Sequence, residues 1–225
     1  MASKFFYMIR HGESELNRLH IRQGKNGGLS EVGRTQAGAT AKRLTHMKFD
    51  VMLVSPYERA VETAEIIAEQ VNINNPLEMN ELLIERRNPS EIVGKPADVK
   101  EVAHIVDLID RSYHEDDYRY SDEENFNDLK GRAKKLLEYL EKRKEKRFLV
   151  VTHSIFLKMT AAFVIHRESL NSESYNLLSF TNTSNNASIT VFEYNSGLLG
   201  DGWLGRYFSP IDKRWKLVAW DDVTK

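Results

Sequence analysis

The chain has 225 residues and a mass of 26.0 kDa, is 41% hydrophobic and 29% charged, and sets 32 Lys+Arg against 33 Asp+Glu for a formal net charge of -1. That size fits one large α/β domain, the composition excludes disordered and collagen-like chains, and the lack of a basic excess argues against generic nucleic-acid or membrane-surface binding. Cysteine is absent, which removes disulfide frameworks, thiolate metal sites and any thiolate nucleophile.

Residues 5–9 form a short apolar β-type run that stops at Arg10, His11 and Gly12. The run is too short for a signal-peptide core, so a cytoplasmic location is expected. Ser30 is placed to cap a helix to about residue 46, with Ala37, Ala41 and Leu44 at helical spacing. Residues 51–54 read as a second buried strand ended by Ser55 and Pro56, and residues 57–71 as a helix marked by Ala60, Ala64, Ile67 and Val71. This alternation is the βαβ rhythm of a parallel sheet. Pro76, Pro89 and Pro96 make residues 72–97 a loop with one short strand, and a helix follows over 98–111.

The acidic, aromatic segment 114–124 reads as an exposed excursion. Phe126, Leu129, Ala133, Leu136, Leu137 and Leu140 fix a long amphipathic helix whose basic end, 142–147, reads as solvated. Residues 148–151 form a third strong strand, followed by Thr152, His153 and Ser154, and 155–165 is a helix apolar nearly all round. Lys158 interrupts that run, which is too short to span a membrane. Strands are expected at 177–180, 189–194 and 217–220, and the Trp-rich tail 203–220 is assigned to packing or self-association as a homodimer. The expected architecture is a three-layer α/β sandwich with a mostly parallel central sheet, in a single domain over 1–225 with a helical lid insertion at about 98–124.

In open α/β sheets, ligands bind beyond the carboxyl ends of the strands. Three strands here end in Arg10-His11-Gly12, in Ser55-Pro56 with Arg59 close behind, and in Thr152-His153-Ser154. Two Arg and two His meeting at one sheet edge repel one another unless an anion sits between them. A phosphoryl group suits the fork of an arginine. Without cysteine, a neutral imidazole is the best nucleophile available toward phosphorus, and His11 is the candidate, its other ring nitrogen held on a backbone carbonyl. Arg10, Arg59 and His153 would stabilise the equatorial oxygens, and a carboxylic acid at the rim would protonate the leaving alkoxide.

These residues resemble a known family. Arg10, His11, Gly12, Glu13, Ser14 and Asn17 are similar to the opening signature of the histidine phosphatase superfamily, in its phosphoglycerate mutase-like branch. Gln23, Gly24, Leu29, Ser30, Glu31, Gly33, Gln36 and Ala37 resemble its second block. Ser55, Pro56, Arg59, Ala60, Thr63 and Ala64 resemble the segment of a phosphate-binding arginine, and Val150 to His153 the second-histidine strand. The resemblance implies a phosphohistidine on His11, phosphoryl contacts from Arg10, Arg59 and His153, and further donors from Asn17, Gln23 and Gly24; Ser154, directly after His153, is added as an expected phosphate or substrate contact. Leu83-Ile84-Glu85 matches the pattern of the proton donor, which makes Glu85 the expected acid, with Glu81 the competing carboxylate and Glu91 a weaker one. Neither metal nor cofactor is implied.

Gln23 before Gly24 resembles the phosphatase version of its block. Arg86, Arg87, Asn88 and Pro89 lack the mutase-like continuation, and His153 is followed by Ser154 and Ile155 where mutases carry Gly-Asn. The expected function is therefore a phosphomonoester hydrolase acting on a small phosphorylated substrate. The alternatives are a cofactor-dependent phosphoglycerate mutase-type phosphotransferase and a non-catalytic phosphate-binding module. An acid-rich lid would turn away polyphosphates.

Overall fold

The computed structural model describes residues 3–73, 77–110, 115–181, 184–196 and 214–222. Side chains alternate along strand β1 (Lys4–Arg10), with Phe6 and Met8 entering one core cluster and Ile9 the other. A short helix α1 (Glu15–Arg18) follows, capped by Ser14, and then α2 (Glu31–Leu44), whose cap Ser30 accepts from the Gly33 N–H as the sequence predicts. β2 (Lys48–Phe49), β3 (Val51–Val54), α3 (Glu58–Ala68), β4 (Asn72–Ile73) and β5 (Leu77–Met79) complete the first half. The second half comprises α4 (Lys100–Asp110), α5 (Phe126–Lys142), β6 (Arg147–Thr152), α6 (Ser154–His166), α7 (Ser172–Thr181), β7 (Ile189–Tyr194) and β8 (Trp215–Asp222).

Six strands form one sheet in the order β5-β3-β6-β1-β7-β8, parallel through β1 and antiparallel over β7 and β8, and β2 pairs with β4 separately. Helices cover both faces. Leu136 and Leu140 of α5 and Leu157 and Ala161 of α6 pack with Phe6, Met8, Phe148 and Val150. On the opposite face, Ala41 and Leu44 of α2 and Ala64 and Ile67 of α3 pack with Ile9, Leu149 and Val151. Each large apolar side chain fully buried there contributes about 1.5–3 kcal/mol. This is the three-layer α/β arrangement expected.

Three local expectations are corrected. Residues 177–180 are helical, in α7, not a strand. The Asn171 side chain accepts from the Ser174 N–H at 2.9 Å, so a polar cap opens a helix whose apolar residues are too few to show a period of their own. The acidic segment 115–124 is not simply exposed: Glu123 is 0% and Glu124 4% accessible. Glu123 accepts from the backbone of Tyr120 and Ser121, and Glu124 pairs with Arg132. At the basic end of α5, Arg143 forks onto Glu78 at 2.8 and 3.0 Å and holds Glu145 by a hydrogen bond that lowers that carboxyl to about 2.

Ile92, Val102 and Ile109 form a small cluster of their own with Ile105, Val106 and Tyr120, which seats α4 beside the loop at 90–92. The adjoining stretch 94–97 pairs with 20–22, through Gly94 N–H to Arg22 C=O (2.8 Å), Arg22 N–H to Lys95 C=O (3.0 Å) and Ala97 N–H to His20 C=O (2.9 Å). Most of the Trp-rich tail lies outside the described residues. Trp215 packs on Phe6, with ring centroids 4.9 Å apart, and Trp220 borders the same core. Among the described residues no helix is long and apolar enough to cross a membrane.

Candidate active site

β3, β6 and β1 are neighbours and parallel, so their C-terminal ends open at one edge of the sheet. Arg10 is in register with Thr152, the His11 N–H donates to the Thr152 carbonyl (3.0 Å) and the Ser55 N–H to the Val151 carbonyl (3.0 Å). Ladder bonds of this kind bring His11, Ser55 and His153 together from distant parts of the chain. The two imidazole centroids lie 5.0 Å apart, and His153 Nε2 is 2.7 Å from Ser55 Oγ.

His11 is almost fully buried, and its Nδ1 lies 2.6 Å from the Gly12 carbonyl oxygen. A carbonyl only accepts, so Nδ1 carries the hydrogen and Nε2 the lone pair. Nε2 accepts from Arg59 Nε at 3.2 Å. The turn that holds this tautomer depends on backbone contact with α2. A Cβ on Gly12 would stand 2.4 Å from the Gly33 carbonyl oxygen, and one on Gly33 would stand 1.9 Å from that of Glu13. Glycine at both positions lets the two segments touch.

Burial, reinforced by Arg59 and Arg10, holds the His11 pKa well below the usual histidine value, and burial with Arg59 and His11 does the same for His153. Both are neutral near pH 7. In the unfolded chain they take up protons from about pH 6.5 downward, while the native state resists protonation. Stability is therefore intact above that pH and lost below it, until the depressed native values are reached. The slope is up to about 1.4 kcal/mol per pH unit for each histidine. Urea midpoints should fall between pH 7 and pH 5, before ordinary carboxylates titrate. A flat profile there would show that the imidazoles are not held neutral.

Arg59 leaves the first turn of α3, is buried, and gives Nη1 to the Gly24 carbonyl at 3.0 Å, while burial lowers its pKa to about 10, so it stays charged. The Gly24 carbonyl thus anchors Arg59. Arg10 donates to the Ser184 carbonyl, but its buried Nε has no hydrogen-bond partner, and neither has His153 Nδ1. Asn17 and Gln23 meet at Ser14, whose hydroxyl lies 2.9 Å from Asn17 Oδ1 and 2.8 Å from Gln23 Oε1. Ser154 stands half-buried in the first turn of α6, next to His153.

Glu85 caps that same helix. Its Oε1 accepts the N–H groups of Arg86 (2.9 Å) and Phe156 (3.1 Å), and Oε2 accepts that of Ile155 (3.2 Å). Glu81 and Glu91 are exposed in separate 3-10 turns. Four contributors were not singled out from sequence as site residues. Thr63 accepts the Gly12 N–H (3.0 Å) and donates to the Arg59 carbonyl (2.7 Å), one turn after Arg59 on α3. Tyr57 lies edge-on to His153 at 5.1 Å and under the Arg59 guanidinium at 5.1 Å. Asn186 and Ala187 donate to the His11 carbonyl, each at 3.2 Å. The i,i+4 spacing of Arg59 and Thr63 was a readable signal; the rest had none.

A cavity of about 610 Å³ lies elsewhere, between α5 and the C-terminal end of α6, where Lys134 pairs with Glu168 at 2.6 Å. None of the residues at the sheet edge lines it, and convergent polar groups, not volume, locate the chemistry. Among the described residues no three His, Asp or Glu side chains gather as a metal site.

Residues 6–199 match the histidine phosphatase superfamily (branch 1). The chain is similar to the 2,3-bisphosphoglycerate-dependent phosphoglycerate mutase of Bartonella henselae, being 38% identical over 90 residues, which are 39% of this chain and 44% of that protein. The match thus spans less than half the length of that relative. Among solved structures it is similar to Bacillus stearothermophilus YhfR, with a TM-score of 0.76, 22% identity and 98% of both chains covered. A mycobacterial glucosyl-3-phosphoglycerate phosphatase has a TM-score of 0.72 and 21% identity, with 98% of this chain and 100% of that one covered. Both structural likenesses show the fold.

Proposed function

Because this chain belongs to the histidine phosphatase superfamily (branch 1), we propose that it hydrolyses a small phosphomonoester through a phosphohistidine formed on His11. The observation that carries this reading is the buried neutral imidazole, with Nδ1 on the Gly12 carbonyl and its Nε2 lone pair beside Arg59. Nε2 attacks phosphorus and the bond from phosphorus to the alcohol oxygen breaks. Arg59, the unpartnered Arg10 Nε and His153 Nδ1 take the phosphoryl oxygens, the groups on which transition-state charge rests. Asn17, Gln23 and Ser154 complete the rim.

Glu85 supplies the proton to the leaving alkoxide from Oε2, which accepts one backbone N–H where Oε1 accepts two. The resulting carboxylate then takes a proton from the water that attacks phosphohistidine, releasing phosphate and restoring His11. In this reading the segment at about 98–124 is the lid of the site, and the pairing of 94–97 with 20–22, directly before it, supports that role. Three of its acids are engaged: Glu123 by backbone, Glu124 by Arg132 and Asp122 by the Ser90 N–H.

A mutase reading draws on the relative from Bartonella henselae, named a phosphoglycerate mutase. In that case an alcohol, not water, accepts the phosphoryl group. Hydrolysis of p-nitrophenyl phosphate measured beside 2,3-bisphosphoglycerate-dependent mutase turnover separates the two. Phosphate release without phosphoryl transfer is expected. Dominant transfer would replace the hydrolase reading, and a folded protein inactive in both assays would leave a phosphate-binding module.

A further inference from the structure

We propose that Arg132 is a positioning residue for Glu85, an inference that rests on the role given to Glu85 above. Arg132 lies beside Ala133 in the buried stripe of α5, so its side chain runs along the core, and only 10% of it is accessible. Its guanidinium forks onto Glu124, Nε to Oε1 at 2.9 Å and Nη2 to Oε2 at 2.7 Å. The remaining hydrogens go to one short stretch of backbone. Nη1 donates to the carbonyls of Leu82 (3.0 Å) and Ile84 (2.7 Å), and Nη2 reaches that of Glu85 (3.4 Å).

The same group lies 4.1 Å from the ring centroid of Phe156, whose own N–H grips the Glu85 carboxylate. Glu124 Oε2 also accepts the Arg87 N–H at 3.1 Å, so the chain is tied on both sides of Glu85. Thr152 adds a bond to the intervening Leu83 carbonyl at 2.8 Å. A planar five-donor fork is what this set of acceptors requires, and lysine, a point charge, cannot span it. Stability alone is a weak account of such a pair, since buried ion pairs are often no better than apolar packing. Placement of an acid is sensitive to errors of about 1 Å, and this arrangement fixes the backbone from which Glu85 projects.

Two variants test the role: Arg132→Lys, and the double variant Arg132→Met with Glu124→Gln, which leaves no buried charge unpaired. For both, kcat on an alkyl phosphate should fall about 10- to 100-fold while kcat on p-nitrophenyl phosphate, whose leaving group needs little protonation, stays within about threefold. KM should hold on both substrates. Equal losses on the two substrates, or no loss, would overturn the proposal, because a merely structural role does not distinguish leaving groups.

A second measurement is independent of turnover. Amide hydrogen exchange at Ile155 and Phe156, the N–H groups held by Glu85, should quicken about tenfold or more in the variants, with 159–164 unchanged. Unaltered protection at those two amides would also overturn it. If the wild type hydrolyses neither ester, the hydrolase reading fails, and the exchange result still decides whether Arg132 holds Glu85.

Discussion

His11→Ala is expected to lower turnover by about 10⁴-fold or more on every phosphomonoester, aryl or alkyl alike. The substitution removes the atom proposed to accept phosphorus while leaving Arg10, Arg59 and His153 to bind the phosphoryl oxygens. Substrate affinity should therefore change much less than kcat. Acid-quenched or base-quenched enzyme after turnover of a labelled ester adds a direct readout. Wild type should carry an acid-labile, base-stable phosphoryl group, as a phosphoramidate does, and the variant none. A variant that retained its rate, or a wild type labelled on a carboxylate or hydroxyl, would refute His11 as the nucleophile.

Glu85→Gln is expected to lower turnover by about 10²- to 10⁴-fold on alkyl phosphates and much less on aryl ones. The amide keeps an acceptor for the Arg86 and Phe156 N–H groups, but its NH₂ then faces the Ile155 N–H, at a cost of about 1 kcal/mol. The protein should thus remain folded, and the loss of rate can be read as loss of the proton. Dependence on the leaving group is what separates a missing acid from a damaged site. An unaffected rate on alkyl esters would move the role to Glu81, which stands exposed in the neighbouring 3-10 turn.

The two candidates differ in how visible they were. His11 follows an apolar strand directly, so wherever that strand enters the parallel sheet it carries His11 at its carboxyl end. Glu85 follows no strand. Its environment is the N-terminus of α6, 70 residues later, and nothing in the run from Leu83 to Pro89 announces that contact. Arg132 was less visible still: on the helical wheel it is an arginine beside a buried stripe, and its partner Glu124 sits in a run of acids whose composition points to solvent. Those acids are buried because backbone N–H groups and one guanidinium meet them, and such partners are absent from any local window of sequence.

By itself, the sequence determined the alternation of strands and helices, the cap at Ser30, and the polar residues that follow β1, β3 and β6. It also determined, by the absence of cysteine, that an imidazole is the strongest nucleophile this chain can offer phosphorus. These follow from periodicity and residue chemistry, which are properties of neighbours along the chain. Only the tertiary structure decided that residues 177–180 are helical, that Glu123 and Glu124 are buried, and that Glu85 is held between α6 and Arg132. Desolvation and pairing depend on which distant groups come within about 3 Å, and that is set by packing of the layers rather than by the order of residues within any one of them.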